Sequence, residues 1–137
     1  MVRKIGEGLK IFVLDDEKEI CHFLKEFLER RGFSVHTALT APAALRVIKK
    51  VSVDIAILDI YLLKGKMNGL DVLSFIKEKQ SACQCLMVTR ADARGLVEKA
   101  KKLGVADYLI KPLTLKKIED AIKRLVKKMR KADTFHG

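Results

Sequence analysis

No apolar run in this 137-residue chain approaches the roughly 20 residues needed to span a bilayer. Residues Met1 to Gly8 hold basic side chains but no apolar core, so no secretory signal is expected and the expected compartment is the cytoplasm. Cysteine is scarce and odd in number, at positions 21, 83 and 85. The Cys83-Gln84-Cys85 pattern inside an apolar run suits reduced thiols better than a disulfide framework. Neither a His nor a second Cys pair stands at zinc-ligand spacing, which argues against a thiolate metal site. No Gly-rich nucleotide fingerprint follows the first strand-like run. Asp15-Asp16-Glu17 stands there instead, and would repel a phosphate unless a cation accompanied it. No repeat, linker or low-complexity segment interrupts the chain.

What is present is a soluble globular composition, 49% hydrophobic and 33% charged, with the length of one domain. We divide the chain into an extension over residues 1–8, one domain over 9–131 and a tail over 132–137. The net charge of +11 is unevenly placed. Residues 1–60 carry 10 Lys and Arg against 9 Asp and Glu, whereas residues 61–137 carry 18 against 8. Nine bases and two acids fall between Lys111 and Lys131. Such a bias points to an acidic partner, to nucleic acid, or to a solvated helix face.

Five apolar runs alternate with five amphipathic ones. The runs are Leu9–Leu14, Ser34–Ala38, Ile55–Leu58, Cys85–Val88 and Asp107–Ile110, and they read as strands. Ile55–Leu58 is nearly unbroken, as in a strand buried on both faces of a parallel sheet. Between them, Ile20, Phe23, Leu24, Phe27 and Leu28 form one helical stripe that ends at Gly32. Thr40 caps a second helix with Pro42 in its first turn and Leu45, Val47 and Ile48 inward. Leu70, Val72, Leu73 and Ile76 mark the third helix, and Leu96, Val97, Ala100 and Leu103 the fourth. The fifth carries Leu115, Ile118, Ile122, Leu125 and Met129. This alternation predicts an α/β fold, a doubly wound five-stranded parallel sheet of flavodoxin-like order 2-1-3-4-5 with helices on both faces.

The ends of four strands carry polar residues: Asp15-Asp16, Asp59, Thr89 and Lys111. In such sheets ligands bind at the carboxyl ends of the strands, here between Asp15-Asp16 and Asp59 at the switch point. Three convergent carboxylates need a divalent cation or raised pKa values to coexist, and oxygen-only ligands favour Mg²⁺. A carboxylate nucleophile, a cation, an ammonium and a hydroxyl are together the parts of a phosphoryl-transfer site. Singly, each has a plainer reading as a helix cap or a surface side chain.

From Lys10 to Arg130 the chain resembles the receiver domains of bacterial two-component response regulators, similar in length to the single-domain chemotaxis type. The resemblance implies that Asp59 is the phospho-acceptor, with Asp16 a direct Mg²⁺ ligand, Asp15 acting through water and the Tyr61 carbonyl a backbone ligand. It implies that Thr89 is the switch hydroxyl, Lys111 the phosphate-pairing base before a cis Pro112, and Tyr108 the aromatic that swings on activation. The donor would be a histidine kinase or phosphotransfer protein. A downstream protein would bind the fourth helix, fifth strand and fifth helix, and a homodimer stays open. Such a domain catalyses only its own phosphorylation and dephosphorylation, and no effector segment follows within these residues.

The chain departs from the family at three places. Leu62-Leu63 replace a Met-Pro pair in a loop that looks longer, Arg90 replaces a small residue after Thr89, and Tyr61 stands where it could overhang the acceptor. Arg90 and Tyr61 are thus candidate modulators of phosphotransfer and hydrolysis. The rival reading is a basic module with a vestigial pocket whose last helix contacts nucleic acid or an acidic protein, although aromatic stacking residues near that helix are absent. An aspartyl-phosphate hydrolase would want a second acid where Tyr61 stands.

Overall fold

The computed structural model describes residues 4–62 and 65–136, without the side chains of Arg94 and residues 133–136. Leu63 and Lys64, within the loop expected to be long, lie outside the described residues. Five strands alternate with five helices: β1 (Lys10–Leu14), α1 (Lys18–Glu29), β2 (Ser34–Ala38), α2 (Ala41–Lys50), β3 (Ile55–Asp59), α3 (Gly69–Lys79), β4 (Gln84–Thr89), α4 (Arg94–Lys102), β5 (Asp107–Ile110) and α5 (Leu115–His136). All neighbouring strands pair in parallel, in the order β2-β1-β3-β4-β5. The doubly wound arrangement expected from the alternation is therefore the one found.

The central strand shows why the sequence folds this way. Every residue of β3 is buried. Ile55 and Ile57 enter one core with residues of α1 and α5, while Ala56 and Leu58 enter a second core with residues of α2, α3 and α4. Period-two alternation sends successive side chains to opposite faces, and both faces are covered by helices. A continuous apolar run is the consequence.

Local signals set the helix ends. The Thr40 hydroxyl accepts from the Ala43 N–H at 3.3 Å, and Pro42 lies in the first turn of α2. Gly32, at φ +95°, takes the left-handed conformation that turns the chain out of α1. Asn68 and Asp71 cap α3 reciprocally, each side chain accepting from the other's backbone N–H.

Several expected inward residues are not inward. Phe23 is 45% exposed and Leu115 47%. Phe23 lies at the margin of the α1 stripe, stacked on Phe27 at 6.3 Å between centroids. Leu115 is the first residue of α5, one turn before Ile118 reaches the core. Leu45 is half-buried and takes no part in either core, whereas Val47, also half-buried, does pack against the second core, as expected, beside Ala41, Ala44 and Ile48 on the buried face of α2. Leu103 is exposed at the end of α4. The strand ends also differ: β3 takes in Asp59, and β4 runs from Gln84 through Thr89. Helix α5 continues past residue 131 to His136. All three cysteines are free and buried. Among the described residues no helix is long and apolar enough to cross a membrane.

Candidate functional site

The pairing of β1 with β3 sets Leu14 beside Leu58. Asp15, just past the end of β1, and Asp59, the last residue of β3, therefore emerge side by side at the switch point. With Asp16 they form a cluster in which one carboxylate oxygen of each lies within 4.8 Å of the other two. Asp15 and Asp59 are 3% and 2% exposed, and Asp16 is half-buried. Burial is the main force lifting the Asp15 carboxyl to about 6, and the charges of Asp59 and Asp16 add to it. The Glu17 N–H, 2.8 Å from Asp15 Oδ1, and the Lys111 ammonium pull the other way.

Lys111 arrives from the far side of the sheet. It follows Ile110, which pairs with Thr89, and its own N–H donates to the Thr89 carbonyl at 2.8 Å. The Lys111–Pro112 peptide is cis. The ammonium then reaches back to Asp59 Oδ2 at 2.9 Å and lies 3.9 Å from Asp15 Oδ2. Burial alone would lower the Lys111 pKa, but the bond to Asp59 and the nearby Asp15 hold it above its ordinary value. The other Asp59 oxygen, Oδ1, accepts from the Tyr61 N–H at 3.1 Å.

Thr89 closes β4 and is 1% exposed, its hydroxyl donating to the Arg90 carbonyl at 3.2 Å. Arg90 is exposed, its guanidinium 4.2 Å from the centroid of the Tyr61 ring and its Nε 3.6 Å from Asp92 Oδ1. Tyr108 is set apart from the cluster. Its ring is exposed on β5 with the Lys101 ammonium 5.4 Å from its centroid. The structure thus brings together Asp15, Asp16, Asp59 and Lys111, places Thr89 on the neighbouring strand, and joins Arg90 to Tyr61.

Two supports of the site escape sequence reasoning. The Glu17 backbone N–H fixes the Asp15 side chain, and any residue type would supply it. Gly69 packs its α-carbon against the Asp59 peptide, where a Cβ would run into the Asp59 carbonyl and the Ile60 α-carbon. Its N–H also donates to the Ile60 carbonyl at 2.9 Å. The Asn68-Gly69 pair with Asp71 after it does carry a legible capping signature.

Beside Lys111 lies an apolar cleft of about 280 Å³ lined by Ile20, Phe23, Leu24, Pro112 and Leu113 among others. The basic surface of α5 is less free than the charge count suggests. Lys116, Lys123 and Arg124 pair with Asp120, Glu119 and Asp107, and the Lys117 ammonium donates to the carbonyls of Ile110 and Pro112.

A doubly wound sheet with an acidic cluster and a lysine at its switch point defines a class of phosphoryl-handling α/β domains, and comparison with known proteins narrows it. The model of the response regulator receiver domain matches residues 11–123, and the chain belongs to that family. It is 35% identical over 103 residues to the alginate biosynthesis transcriptional regulatory protein AlgB of Pseudomonas aeruginosa, covering 75% of this chain and 22% of that one. It is 31% identical over 116 residues to the heme response regulator HssR of Staphylococcus saprophyticus, covering 85% and 50%. The chain therefore spans half or less of the length of these relatives. Among solved structures, a two-component response regulator from Clostridium difficile superimposes with a TM-score of 0.81 at 29% identity, covering 88% of this chain and 98% of that one. A CheY-like receiver domain protein from Methanospirillum hungatei gives 0.84 at 25% identity, covering 90% and 98%. Family membership sets the receiver reading ahead of the basic module with a vestigial pocket.

Proposed function

We propose that this domain accepts a phosphoryl group on the Asp59 carboxylate from a phosphohistidine of a kinase or phosphotransfer protein. The observation that carries this reading is the 2.9 Å contact between Lys111 Nζ and Asp59 Oδ2 inside a cluster of three carboxylates. An Asp59 oxygen attacks phosphorus, the P–N bond to the donor imidazole breaks, and the imidazole leaves with the electron pair. Lys111 can follow the incoming phosphoryl oxygens, since its ammonium already sits on the acceptor. The Thr89 hydroxyl reaches them only after giving up the Arg90 carbonyl. The domain's catalysis is confined to its own phosphorylation and dephosphorylation.

The donor set fits a hard divalent cation such as Mg²⁺. It is oxygen-only, and the Asp15 carboxyl is raised mainly by burial, with the charges of Asp59 and Asp16 adding to the rise that a cation would relieve. Asp15, Asp16, Asp59 and the Tyr61 carbonyl would hold the ion. When bound, it supplies positive charge opposite the developing charge on the phosphoryl oxygens. The apolar cleft beside Lys111, with its exposed Phe23, offers a protein donor a surface that a small phosphate ester cannot use.

Occupation of Asp59 would draw Thr89 toward the phosphoryl group and Tyr108 inward, changing the face made by α4, β5 and α5, where a downstream protein would bind. Intact mass after incubation with acetyl phosphate and Mg²⁺ tests the reading. One added phosphoryl group is expected on the parent and none on Asp59→Asn, which keeps the side-chain shape. An Asn variant labelled as fully as the parent would remove Asp59 from the role.

A further inference from the structure

Asp59, at the end of β3, and Thr89, at the end of β4, are almost fully buried although both stand at the open end of the sheet. Asp59 is 2% exposed and Thr89 1%. Two side chains from the residues that follow them meet beside this end. Tyr61 lies two residues after Asp59 and is tied to it by its N–H at 3.1 Å from Asp59 Oδ1. Arg90 directly follows Thr89, and its carbonyl receives the Thr89 hydroxyl at 3.2 Å. The Arg90 guanidinium is 4.2 Å from the Tyr61 ring centroid, within cation–π range. Asp92 Oδ1 also lies 3.6 Å from Arg90 Nε.

The stack thus bridges the ends of β3 and β4 and is anchored at both feet to backbone atoms bonded to site residues. It is also loose. Tyr61 is 36% exposed and the Arg90 side chain 59%, so the contact competes with water and opens readily.

Resting on the phospho-acceptor reading of Asp59, we propose that the Arg90–Tyr61 stack is a gate that selects a protein phosphodonor over small ones and shields the acyl phosphate from water. A small donor reaches Asp59 only during the fraction of time the stack is open, because it brings no binding surface with which to displace the stack. A protein docking beside the pocket can displace it with its own contacts. Uptake from acetyl phosphate forms the bond from an Asp59 oxygen to phosphorus and breaks the P–O bond to the acetyl group, acetate leaving with the electron pair. In loss, water attacks phosphorus, the Asp59 carboxylate leaves, and the proton of water ends on inorganic phosphate or solvent. Both small-molecule steps pass the same gate.

An exposed cation–π contact shifts an equilibrium by roughly two- to fivefold, which sets the scale of the effect. The full chain is loaded with acetyl phosphate and Mg²⁺, uptake is timed by intact mass, and loss is timed after the donor is removed. Arg90→Ala and Tyr61→Ala should each speed uptake and loss by roughly that two- to fivefold factor. The double variant should be no faster than either, because the second substitution removes nothing further. Tyr61→Phe keeps the ring and should restore the slow rates lost in Tyr61→Ala. Effects that multiply in the double variant, or unchanged rates on a labelled parent, overturn the gate and leave the acceptor reading intact. So does an Arg90→Ala variant that loses phosphate faster but takes it up no faster, since that marks a phosphate ligand. Labelling confined to the Ala variants supports the gate in its tightest form. Absence of label from parent and variants alike overturns the acceptor reading itself.

Discussion

Neutralising Asp15 should stabilise the metal-free fold. Its carboxyl is held at about 6 against an ordinary 3.8, mainly by burial, with Asp59 and Asp16 adding to the rise. A raised pKa means that the folded state binds the proton more tightly than the unfolded one. Stability is therefore greatest below the unfolded value and is lost as pH rises from about 4 through about 6. Converted at 1.36 kcal/mol per unit, the gap corresponds to about 3 kcal/mol lost at neutral pH. That figure is an upper bound, because Lys111 moves with the charge it faces. In Asp15→Asn the side-chain oxygen still accepts the Glu17 N–H, and the new amide faces carboxylates instead of repelling them. A net gain of about 1–3 kcal/mol is expected near pH 7.5, with most of it gone at about pH 4. In a domain of this size that is on the order of 5–10 °C in Tm. Urea denaturation of parent and variant in metal-free buffer at both pH values measures it. Added Mg²⁺ should then stabilise the parent more than the variant, by mass action on the folded state. A variant no more stable than the parent at neutral pH, or a gain equal at both pH values, would refute the electrostatic account.

Replacing Lys111 with Met removes the ammonium from Asp59 and should slow uptake from acetyl phosphate by on the order of a hundredfold; a rate within twofold of the parent excludes that role. Gly69→Ala places a methyl group against the Asp59 and Ile60 backbone, and should cost about 1–3 kcal/mol in denaturant melts while slowing the proposed phosphorylation by shifting Asp59. Asn68→Ala loses one side of a reciprocal cap and should cost about 1 kcal/mol, with Asn68→Asp close to neutral by the same melts. Binding of an acidic protein partner to α5 should weaken as salt rises and on charge reversal at Lys127 and Lys128. Indifference to both would leave the basic surplus as a solvated face.

The strands were legible because burial on both faces of a parallel sheet forces continuous apolar runs such as Ile55–Leu58. Once the alternation gives the topology, the polar residues at strand ends must converge, and Asp15, Asp16, Asp59 and Lys111 do. What was not legible depends on which surface covers a given stripe. Phe23 has the spacing of a core residue, but it falls at the edge where α1 meets the turn after β5, so it lines a cleft instead. The support that Gly69 gives Asp59 needs the return path of the loop, which no local signal encodes. Arg90 and Tyr61 each stood out as departures from the family pattern. Their stacking on each other follows only from the pairing of β3 with β4.

The distribution of burial bears on where a signal from Asp59 would travel. Three acids and one ammonium leave the pocket with excess negative charge, so a bound cation and a phosphoryl group change its balance sharply. That change has to be absorbed by whatever is least firmly packed around it. Helix α3 is held by Leu70, Val72, Leu73 and Ile76, all buried, and by its reciprocal cap. Helix α4 is held differently. Ala100 is fully buried, Leu96 and Val97 are half-buried, and no side chain caps its start at Ala93. Strand β5 at the sheet edge buries Leu109 and leaves Tyr108 and Ile110 exposed. Thr89 and Arg90 lead straight into this weakly packed region, and Lys111 leads out of it. A rotation of the Thr89 hydroxyl away from the Arg90 carbonyl would therefore disturb α4 and β5 before it disturbed α3. On the proposed reading, this asymmetry of packing makes the α4–β5–α5 face the responsive one.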